Sequence, residues 1–170
     1  RWMQFCVFQP IFRTHGSSQS SCERRIWKFH NFDLQREAFQ LRYTLVPYIY
    51  NAARQAYDTG VSICRPLYYE WPEENKAYSV EDEYLFGDDI LVSPISTPVN
   101  GNDMSERKTW LPEGCWYDIC RNRMLYGGRT IVDEYSLSEI PYFIRQGSVI
   151  PCNPEVMHLK SEPASLVLWV

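Results

Sequence analysis

The spacing of the apolar segments changes near Gly87, and this change constrains the fold more than any other feature of the sequence. Before Gly87, an apolar segment, a long amphipathic segment and the apolar segment Val61–Tyr69 follow one another. This alternation of strand and helix is typical of an α/β barrel. After Gly87, turn residues separate short apolar segments about every ten residues, as in a β-sandwich. We therefore expect two domains, residues 1–87 and 88–170.

The amphipathic segment is predicted to form one long helix. Its apolar residues recur at three- and four-residue spacing, Asp33 can cap its start, and the helix is expected to reach about Asp58. Gly60 is a suitable C-terminal stop, and Pro47 is expected to kink the helix because it lacks an amide donor. A second, short helix is predicted at Val80–Leu85.

The second half of the chain carries the turn signals of an antiparallel β-domain. Pro112–Gly114 and Gly127–Gly128 are expected to be the turns of two successive hairpins, formed by the short apolar segments on either side of each turn. A strand at Ile90–Ile95 and a further turn at Arg145–Gly147 complete the expected domain.

Composition excludes several classes of partner. The net charge is −4 and no cluster of Lys and Arg is present, so a nucleic-acid partner is not expected. No apolar run reaches the roughly 18 residues of a membrane span. The six cysteines include no C-x-x-C pair, and Cys6 and Cys64 lie in apolar segments, where a reduced thiol is common. Both ends interrupt apolar patterns, so we expect part of a longer protein.

Two polar residues follow the first apolar segment. Pro10–Phe12 is expected to be a short strand, and Arg13 and His15 come directly after it. Catalytic and binding side chains of α/β barrels lie at the C-terminal ends of the strands. The segment therefore predicts an enzyme pocket for an anionic or hydroxyl-rich partner, much of which lies outside this chain.

An ordered set of motifs resembles glycoside hydrolase family 31. The motifs are RWMQF at residues 1–5, FRTHG at 12–16, LRY at 41–43, PYIY at 47–50, RPL at 65–67, YLFG at 84–87, ILVSP at 90–94, LPEG at 111–114 and GSVIP at 147–151. The resemblance implies the last two βα units of a (β/α)8 TIM barrel, followed by an antiparallel β-sandwich, the proximal C-terminal domain.

The resemblance also implies a reaction. The family consists of retaining α-glycosidases, and an α-glucosidase that hydrolyses terminal α-linked sugars from an oligosaccharide substrate is expected first. Its two catalytic aspartates precede the segment that RWMQ matches, so neither is expected in this chain. Arg13 and His15 are implied to bind the reacting sugar. No cofactor or metal is implied. An α-xylosidase or another relative, and a non-catalytic carbohydrate-binding or interaction fragment, remain alternatives.

The acids in this chain are expected to have other roles. Glu70 is expected to be a rim carboxylate, either solvated or paired with an arginine. Asp82 and Glu83 are expected on the solvated face of the short helix, and Asp88 and Asp89 in turn and capping roles.

The remaining polar and aromatic candidates are expected to be structural or superficial. Arg65 is buried by its sequence pattern and therefore needs a carboxylate partner. Trp27 has two interpretations, a wall of the sugar site and ordinary packing, of which packing is favoured. The default expectation for His30 and His158 is the protein surface. Core or domain-interface packing is expected for the aromatic side chains of the sandwich, Trp110, Trp116 and Tyr117.

Overall fold

The computed structural model describes residues 1–19, 21–154, 163 and 165–170, so His158 lies outside the described residues. Three α-helices come first: α1 (Trp2–Val7), α2 (Phe32–Thr44) and α3 (Val46–Thr59). Short 3₁₀ helices lie at Ile26–Lys28, Leu67–Tyr69 and Asn75–Tyr78. The strands are β1 (Cys64–Pro66), β2 (Tyr84–Phe86), β3 (Ile90–Val92), β4 (Met104–Leu111), β5 (Cys115–Asp118), β6 (Arg123–Tyr126), β7 (Arg129–Ser136), β8 (Tyr142–Arg145), β9 (Ile150–Cys152) and β10 (Val167–Trp169).

The strands form an antiparallel β-sandwich, as the sequence predicted. Six of them make one sheet in the order β1-β2-β3-β8-β5-β6, with Leu91 of β3 opposite Phe143 of β8. The long strands β4 and β7 form a two-stranded ribbon, and β9 pairs with β10.

Both faces of the six-stranded sheet are buried at its central strands β3 and β8, whereas the edge strand β6 is largely exposed. Leu91 and Phe143 belong to a core cluster that also contains Trp110 and Trp116, between the sheet and the β4–β7 ribbon. Their neighbours along β3 and β8 belong to a second cluster, which the sheet forms with the helices: Val7, Phe8, Ala38, Leu45, Tyr48, Phe86, Ile90, Val92, Tyr142, Ile144, Ile150 and Cys152. Successive side chains of a strand point to opposite faces, so a strand buried on both sides is apolar throughout. The predicted packing role of Trp110 and Trp116 is confirmed.

The expected single long helix is two helices. The break falls at Leu45, and Pro47 lies in the first turn of α3, where a missing amide donor removes no helical hydrogen bond. The residue before α2 is Asn31, so Asp33 lies in the first turn instead of capping it. The predicted stop is confirmed: Gly60 has φ 77°, and its N–H donates to the carbonyl of Ala56 at 2.9 Å.

The predicted strand at Pro10–Phe12 is wrong, because these residues are not in a strand. The guanidinium of Arg42 on α2 donates instead to the carbonyls of Val7 (2.7 Å), Gln9 and Pro10 (3.0 Å). Within the described residues no second strand lies beside this segment, and the arginine satisfies the carbonyl oxygens that a ladder would otherwise pair.

Two predictions between residues 61 and 87 also need correction. Of the expected second barrel strand, only Cys64–Pro66 forms a β-strand. This strand pairs antiparallel with β2 of the sandwich. The short helix expected at Val80–Leu85 is absent: a 3₁₀ helix lies earlier, at Asn75–Tyr78, and residues 84–86 form β2. The apolar side chains of Leu85 and Phe86 therefore fill the two opposite cores instead of one helical face.

The two predicted hairpins do not form. β4 pairs with β7 and β5 pairs with β6 and β8, so Pro112–Gly114 and Gly127–Gly128 connect the two sheets of the sandwich. The two connections pack against each other: the N–H of Gly127 donates to the carbonyl of Gly114 at 2.7 Å. A Cβ atom on Gly127 would lie 1.7 Å from the carbonyl oxygen of Pro112, so only glycine fits there.

Tyr48 joins α3 to the turn between β2 and β3. Its hydroxyl donates to the carbonyl of Phe86 at 2.8 Å and accepts the N–H of Asp89 at 3.2 Å. Gly87 has φ 67°, and a Cβ atom there would lie 2.3 Å from the hydroxyl of Tyr48. The strands on both sides of Gly87 belong to one sheet, and the domain boundary at this residue stays a prediction.

The structure also shows that the cysteines are unpaired and how long the helices are. All six cysteines are free, with Cys6 buried and Cys64 partly buried, as expected for apolar segments. No helix in the described part of the chain is long and apolar enough to cross a membrane.

Candidate functional site

His15 lines a cavity of about 340 Å³ between α1 and the segment that leads into α2. The other lining residues are Arg1, Trp2, Met3, Thr14, Glu23, Arg24, Ile26, Phe29, His30, Asn31 and Gln35. The volume is within the usual range of about 300–1,000 Å³ for small-ligand sites. Arg13 is exposed and does not line this cavity, so the structure brings only one of the two predicted site residues to it.

The cavity lies where the N-terminal ends of two helices converge. Trp2 begins α1, and Asn31 directly precedes α2. In an α/β barrel each helix starts at the end of the barrel where the preceding strand stops, which is also the end that carries the functional side chains. In the described residues no strand precedes α1 or α2, so what the structure shows is that His15 lies beside the starts of both helices.

Glu23 is the acid that lines the cavity, and it is already paired. Its carboxylate accepts hydrogen bonds from Arg25 Nε at 2.7 Å and Arg25 Nη2 at 2.6 Å, and from the backbone N–H groups of Arg24 and Arg25. The side-chain hydrogen bond from Arg25 lowers the pKa of Glu23 to about 2. An acid with this pKa stays ionised at neutral pH and is unsuited to donate a proton.

Two other side chains of the cavity lining, those of Asn31 and Gln35, have hydrogen-bonding groups without a partner in the described residues. Gln35 Nε2 donates to Asn31 Oδ1 at 2.9 Å, which leaves the Asn31 amide nitrogen and the Gln35 carbonyl oxygen for a ligand. His30 lines the same cavity as His15 and is exposed, as predicted. The sequence analysis did not place His30 in the site, because no motif or strand end near His30 indicated a binding role.

Trp27 lies outside this cavity. It is 65% exposed and lines a neighbouring cavity of about 530 Å³ that shares Thr14, Glu23 and Arg24 with the first. Its expected packing role is therefore not realised within the described residues, and a sugar-wall role stays a prediction.

Comparison with known proteins decides the family. The profile described as "Glycosyl hydrolases family 31 TIM-barrel domain" matches residues 1–52, and the profile described as "Glycosyl hydrolase family 31 C-terminal domain" matches residues 60–150. The chain belongs to glycosyl hydrolase family 31. The first match contains Arg13, His15, α1 and α2, and the second contains β1 to β8 and the core cluster around Trp110 and Trp116.

Family 31 relatives with different activities are about equally similar to the chain. It is 35% identical to a 1,6-alpha-glucosyltransferase from Sporosarcina globispora, with 89% of this chain and 12% of the relative covered. It is 34% identical to an alpha-xylosidase from Saccharolobus solfataricus, with 89% and 20% covered. The chain thus spans about an eighth to a fifth of these relatives' lengths.

A solved family 31 structure has the same fold. The dextranase from Flavobacterium johnsoniae, complexed with isomaltotriose, superposes with a TM-score of 0.83 at 31% identity. The alignment covers 95% of this chain and 20% of the dextranase chain. The predicted combination of a barrel end and a β-sandwich is thus confirmed.

Several acidic side chains of this family 31 chain form ion pairs with arginines. Arg65 is 4% exposed, as predicted, and its partner is Asp88. Gln55 links the two, accepting from Arg65 Nη2 at 3.2 Å and donating to Asp88 Oδ2 at 2.9 Å. Burial would raise the pKa of Asp88, but the hydrogen bonds from Gln55 and Arg65 lower it overall. Glu70 lies 3.9 Å from Arg65 Nη1, so its carboxylate is paired with an arginine, one of the two expected surroundings; its place at the rim of a pocket stays a prediction.

The predicted solvated position is wrong for Glu83, whereas Asp82 is exposed as predicted, although it does not lie on a helix. Glu83 is 5% exposed, and both of its carboxylate oxygens accept the N–H of Trp110, at 3.0 and 3.2 Å. Burial raises the pKa of Glu83 to about 7, against the lowering effects of the Trp110 N–H and of Arg107. Asp82 pairs with Arg107. Both acids face the β4 strand because residues 84–86 form β2 instead of a helix.

Asp89 is also tied into the sandwich: its carboxylate accepts a hydrogen bond from Ser148 Oγ at 2.8 Å, and its carbonyl accepts the N–H of Arg145 at 2.9 Å. No group of three or more His, Cys, Asp or Glu side chains suited to a metal ion occurs in the part of the chain that the structure describes.

Proposed function

We propose that this chain is part of a retaining α-glycosidase, with hydrolysis of terminal α-linked glucose as the first activity to test. His15 binds the reacting sugar, and Arg13 lies close to the same subsite in the complete barrel. The observation that carries the proposal is the position of His15 in a cavity formed by the starts of α1 and α2. An imidazole can exchange hydrogen bonds with sugar hydroxyls through both ring nitrogens.

The two catalytic carboxylates are proposed to come from residues outside this chain. A retaining enzyme needs a nucleophile and an acid/base about 5–5.5 Å apart across the glycosidic bond. Glu23 is held ionised by Arg25, Asp88 is paired with Arg65, and Glu83 is buried in the sandwich. These three acids therefore have structural roles. This supports the proposal that both catalytic carboxylates come from barrel residues outside this chain.

Kinetics of the full-length protein test the assignment. His15→Ala should lower kcat/KM for an aryl α-glucoside by about two orders of magnitude or more, as the loss of a contact made in the transition state. Unchanged kinetics would remove His15 from the site. We further propose that the isolated 170 residues do not hydrolyse glycosides; turnover by the purified chain would contradict this.

Two alternative functions can be separated by the same assay. The relatives include an alpha-xylosidase, so an aryl α-xyloside is tested beside the aryl α-glucoside. Preference for the xyloside would assign the α-xylosidase activity. A full-length protein that binds α-glucans and cleaves neither substrate would favour a non-catalytic carbohydrate-binding role.

A further inference from the structure

Arg42 on α2 holds the segment of the chain that leads to His15. Its guanidinium donates to the carbonyls of Val7 (2.7 Å), Gln9 and Pro10 (3.0 Å), so its hydrogen bonds in the described residues all go to the backbone of this one segment. Within the described residues no carboxylate pairs with it. A partly buried guanidinium without a counter-ion replaces its lost hydration only through these carbonyls. The arginine is therefore dedicated to the course of this segment.

The aromatic ring of Phe12 extends the same contact toward His15. It packs on the ring of Phe39 on α2, with the ring centroids 4.4 Å apart. The guanidinium carbon of Arg42 lies 6.0 Å from the centroid of the Phe12 ring, within reach of a cation–π contact. Phe39 and Arg42 are three residues apart, so they lie on the same face of the helix. One face of α2 thus fixes the backbone and the last aromatic side chain of residues 7–12.

The other end of the segment is fixed at Gly16. The side chain of Arg24 packs against it, since a Cβ atom placed on Gly16 would lie 3.1 Å from Arg24 Cδ. Only residues 13–15 lie between this contact and Phe12. His15 is exposed, so its position depends on the backbone on both sides of it and not on packing of its own side chain. A displacement of the segment on α2 would therefore displace His15 in the cavity.

We propose that Arg42 is a positioning residue of the glycosidase site, which fixes residues 7–12 so that His15 meets the reacting sugar. This proposal rests on the proposed function, since it takes His15 as the contact to that sugar. Arg42 does not line the cavity and acts only through the segment that it holds. Its planar guanidinium directs donors to three carbonyls at once, which a lysine ammonium on a flexible stem reproduces only in part.

A double-mutant cycle in the full-length protein tests this role. Arg42→Met leaves the three carbonyls without their donor and should lower kcat/KM for an aryl α-glucoside about tenfold, because small displacements of a substrate contact are costly. Arg42→Lys keeps the charge and part of the hydrogen bonding, so its loss should be smaller. In a protein that already carries His15→Ala, the addition of Arg42→Met should lower kcat/KM by less than about twofold, because the group that it positions is gone.

Two further variants separate positioning from stability. Phe39→Leu removes the ring contact to Phe12 and leaves the hydrogen bonds of Arg42 in place. It should lower kcat/KM about threefold, again only in the protein that retains His15, and it carries the same cycle if Arg42→Met does not fold. Arg65→Met is the matched control, because Arg65 is a buried arginine of the sandwich, away from this segment. It should destabilise the protein and leave kcat/KM of the folded enzyme unchanged.

The outcomes distinguish this proposal from the function on which it rests. Equal losses from Arg42→Met with and without His15, or a loss of the same size in folded Arg65→Met, would overturn the positioning role and leave His15 in the site. Unchanged kinetics in His15→Ala alone would overturn the proposed function, and the role of Arg42 with it. Losses confined to the protein that retains His15, and smaller for Arg42→Lys than for Arg42→Met, are the result expected.

Discussion

The guanidinium of Arg1 donates a hydrogen bond to the backbone carbonyl of Glu139, with Nη1 and the oxygen 2.8 Å apart. Its Nη2 also donates to the carbonyls of Tyr135 (3.1 Å) and Ser136 (2.9 Å), at the end of β7. One side chain at the start of α1 thus satisfies the backbone of a sandwich loop far away in the sequence. The cavity beside α1 is held in position relative to the sandwich through this contact.

Replacement of Arg1 by methionine should destabilise the contact between α1 and the sandwich. It leaves the carbonyls of residues 135, 136 and 139 without their charged donor, which should cost about 2–3 kcal/mol. Hydrogen exchange of the α1 amides in the full-length protein measures the loss. Arg36→Met removes an exposed pair with Asp33 (3.2 Å) and should change stability by less than about 0.5 kcal/mol. Equal exchange in both variants would contradict the prediction.

Arg65→Met should destabilise the sandwich more than removal of an exposed arginine. The substitution leaves Asp88 without its buried partner, and the expected cost is about 2–3 kcal/mol, because Asp88 is itself half-exposed and can be hydrated. Denaturant unfolding followed by tryptophan fluorescence reports this loss. Arg54→Met is the matched control: it breaks an exposed pair with Asp58 on α3 (2.8 Å) and should cost about 0.5 kcal/mol or less. A larger effect at Arg54 would show that burial does not decide the contribution.

The buried carboxyl of Glu83 should make stability depend on pH. Its pKa is raised from 4.5 to about 7 on folding, because burial disfavours the charged form. Between these values the folded protein holds a proton that the unfolded chain has lost. Stability therefore falls as the pH rises through this window, by up to about 1.4 kcal/mol per pH unit.

Glu83→Gln removes this dependence, since an amide stays neutral. The midpoint of thermal unfolding, measured from about pH 5 to about pH 8, should fall in the wild-type protein and change less in the variant. Glu81→Gln provides the control, because Glu81 is exposed on the neighbouring segment. Parallel curves for wild type and Glu83→Gln would rule out Glu83 as the titrating group.

Gly127→Ala tests the packing of the two connections between the sheets. The new methyl group would meet the carbonyl oxygen of Pro112, and separation of the connections should cost about 2 kcal/mol or more. Gly101→Ala is the control: no atom lies within 4 Å of a Cβ placed there, so the change should be close to neutral. Similar unfolding midpoints for the two variants would refute the steric argument.

Parts of strands β4 to β7 could be located from the sequence, but their pairing partners could not. Short apolar segments between turn residues correctly indicated strands at residues 109–111, 115–117, 124–126 and 130–132. A turn such as Pro112–Gly114 looks the same in a hairpin and in a connection between sheets, because its composition does not specify which sheet the next strand joins. The pairing depends on the core around Trp116, which is distant in sequence from its neighbours.

The same limit applies to the candidate site. His15 could be predicted because it follows an apolar segment and forms part of a family motif. The position of His30 in the cavity could not, because the cavity is formed with Trp2 and Met3 of α1, which are distant from His30 in the sequence. The prediction for Glu83 is wrong because it depends on a short helix at Val80–Leu85, whereas residues 84–86 form a strand and place the Glu83 carboxylate at the N–H of Trp110.

The hydroxyl of Tyr48 has a consequence for protein engineering. It donates to the carbonyl of Phe86 and accepts the N–H of Asp89, so a side chain of α3 stabilises the turn between β2 and β3. A chimera that grafts the β-sandwich onto a foreign scaffold, with its junction at Gly60, would lose this tyrosine and uncover the helix-facing side of the six-stranded sheet. A transplantable module therefore has to start no later than Val46, the first residue of α3, and include at least residues 46–152.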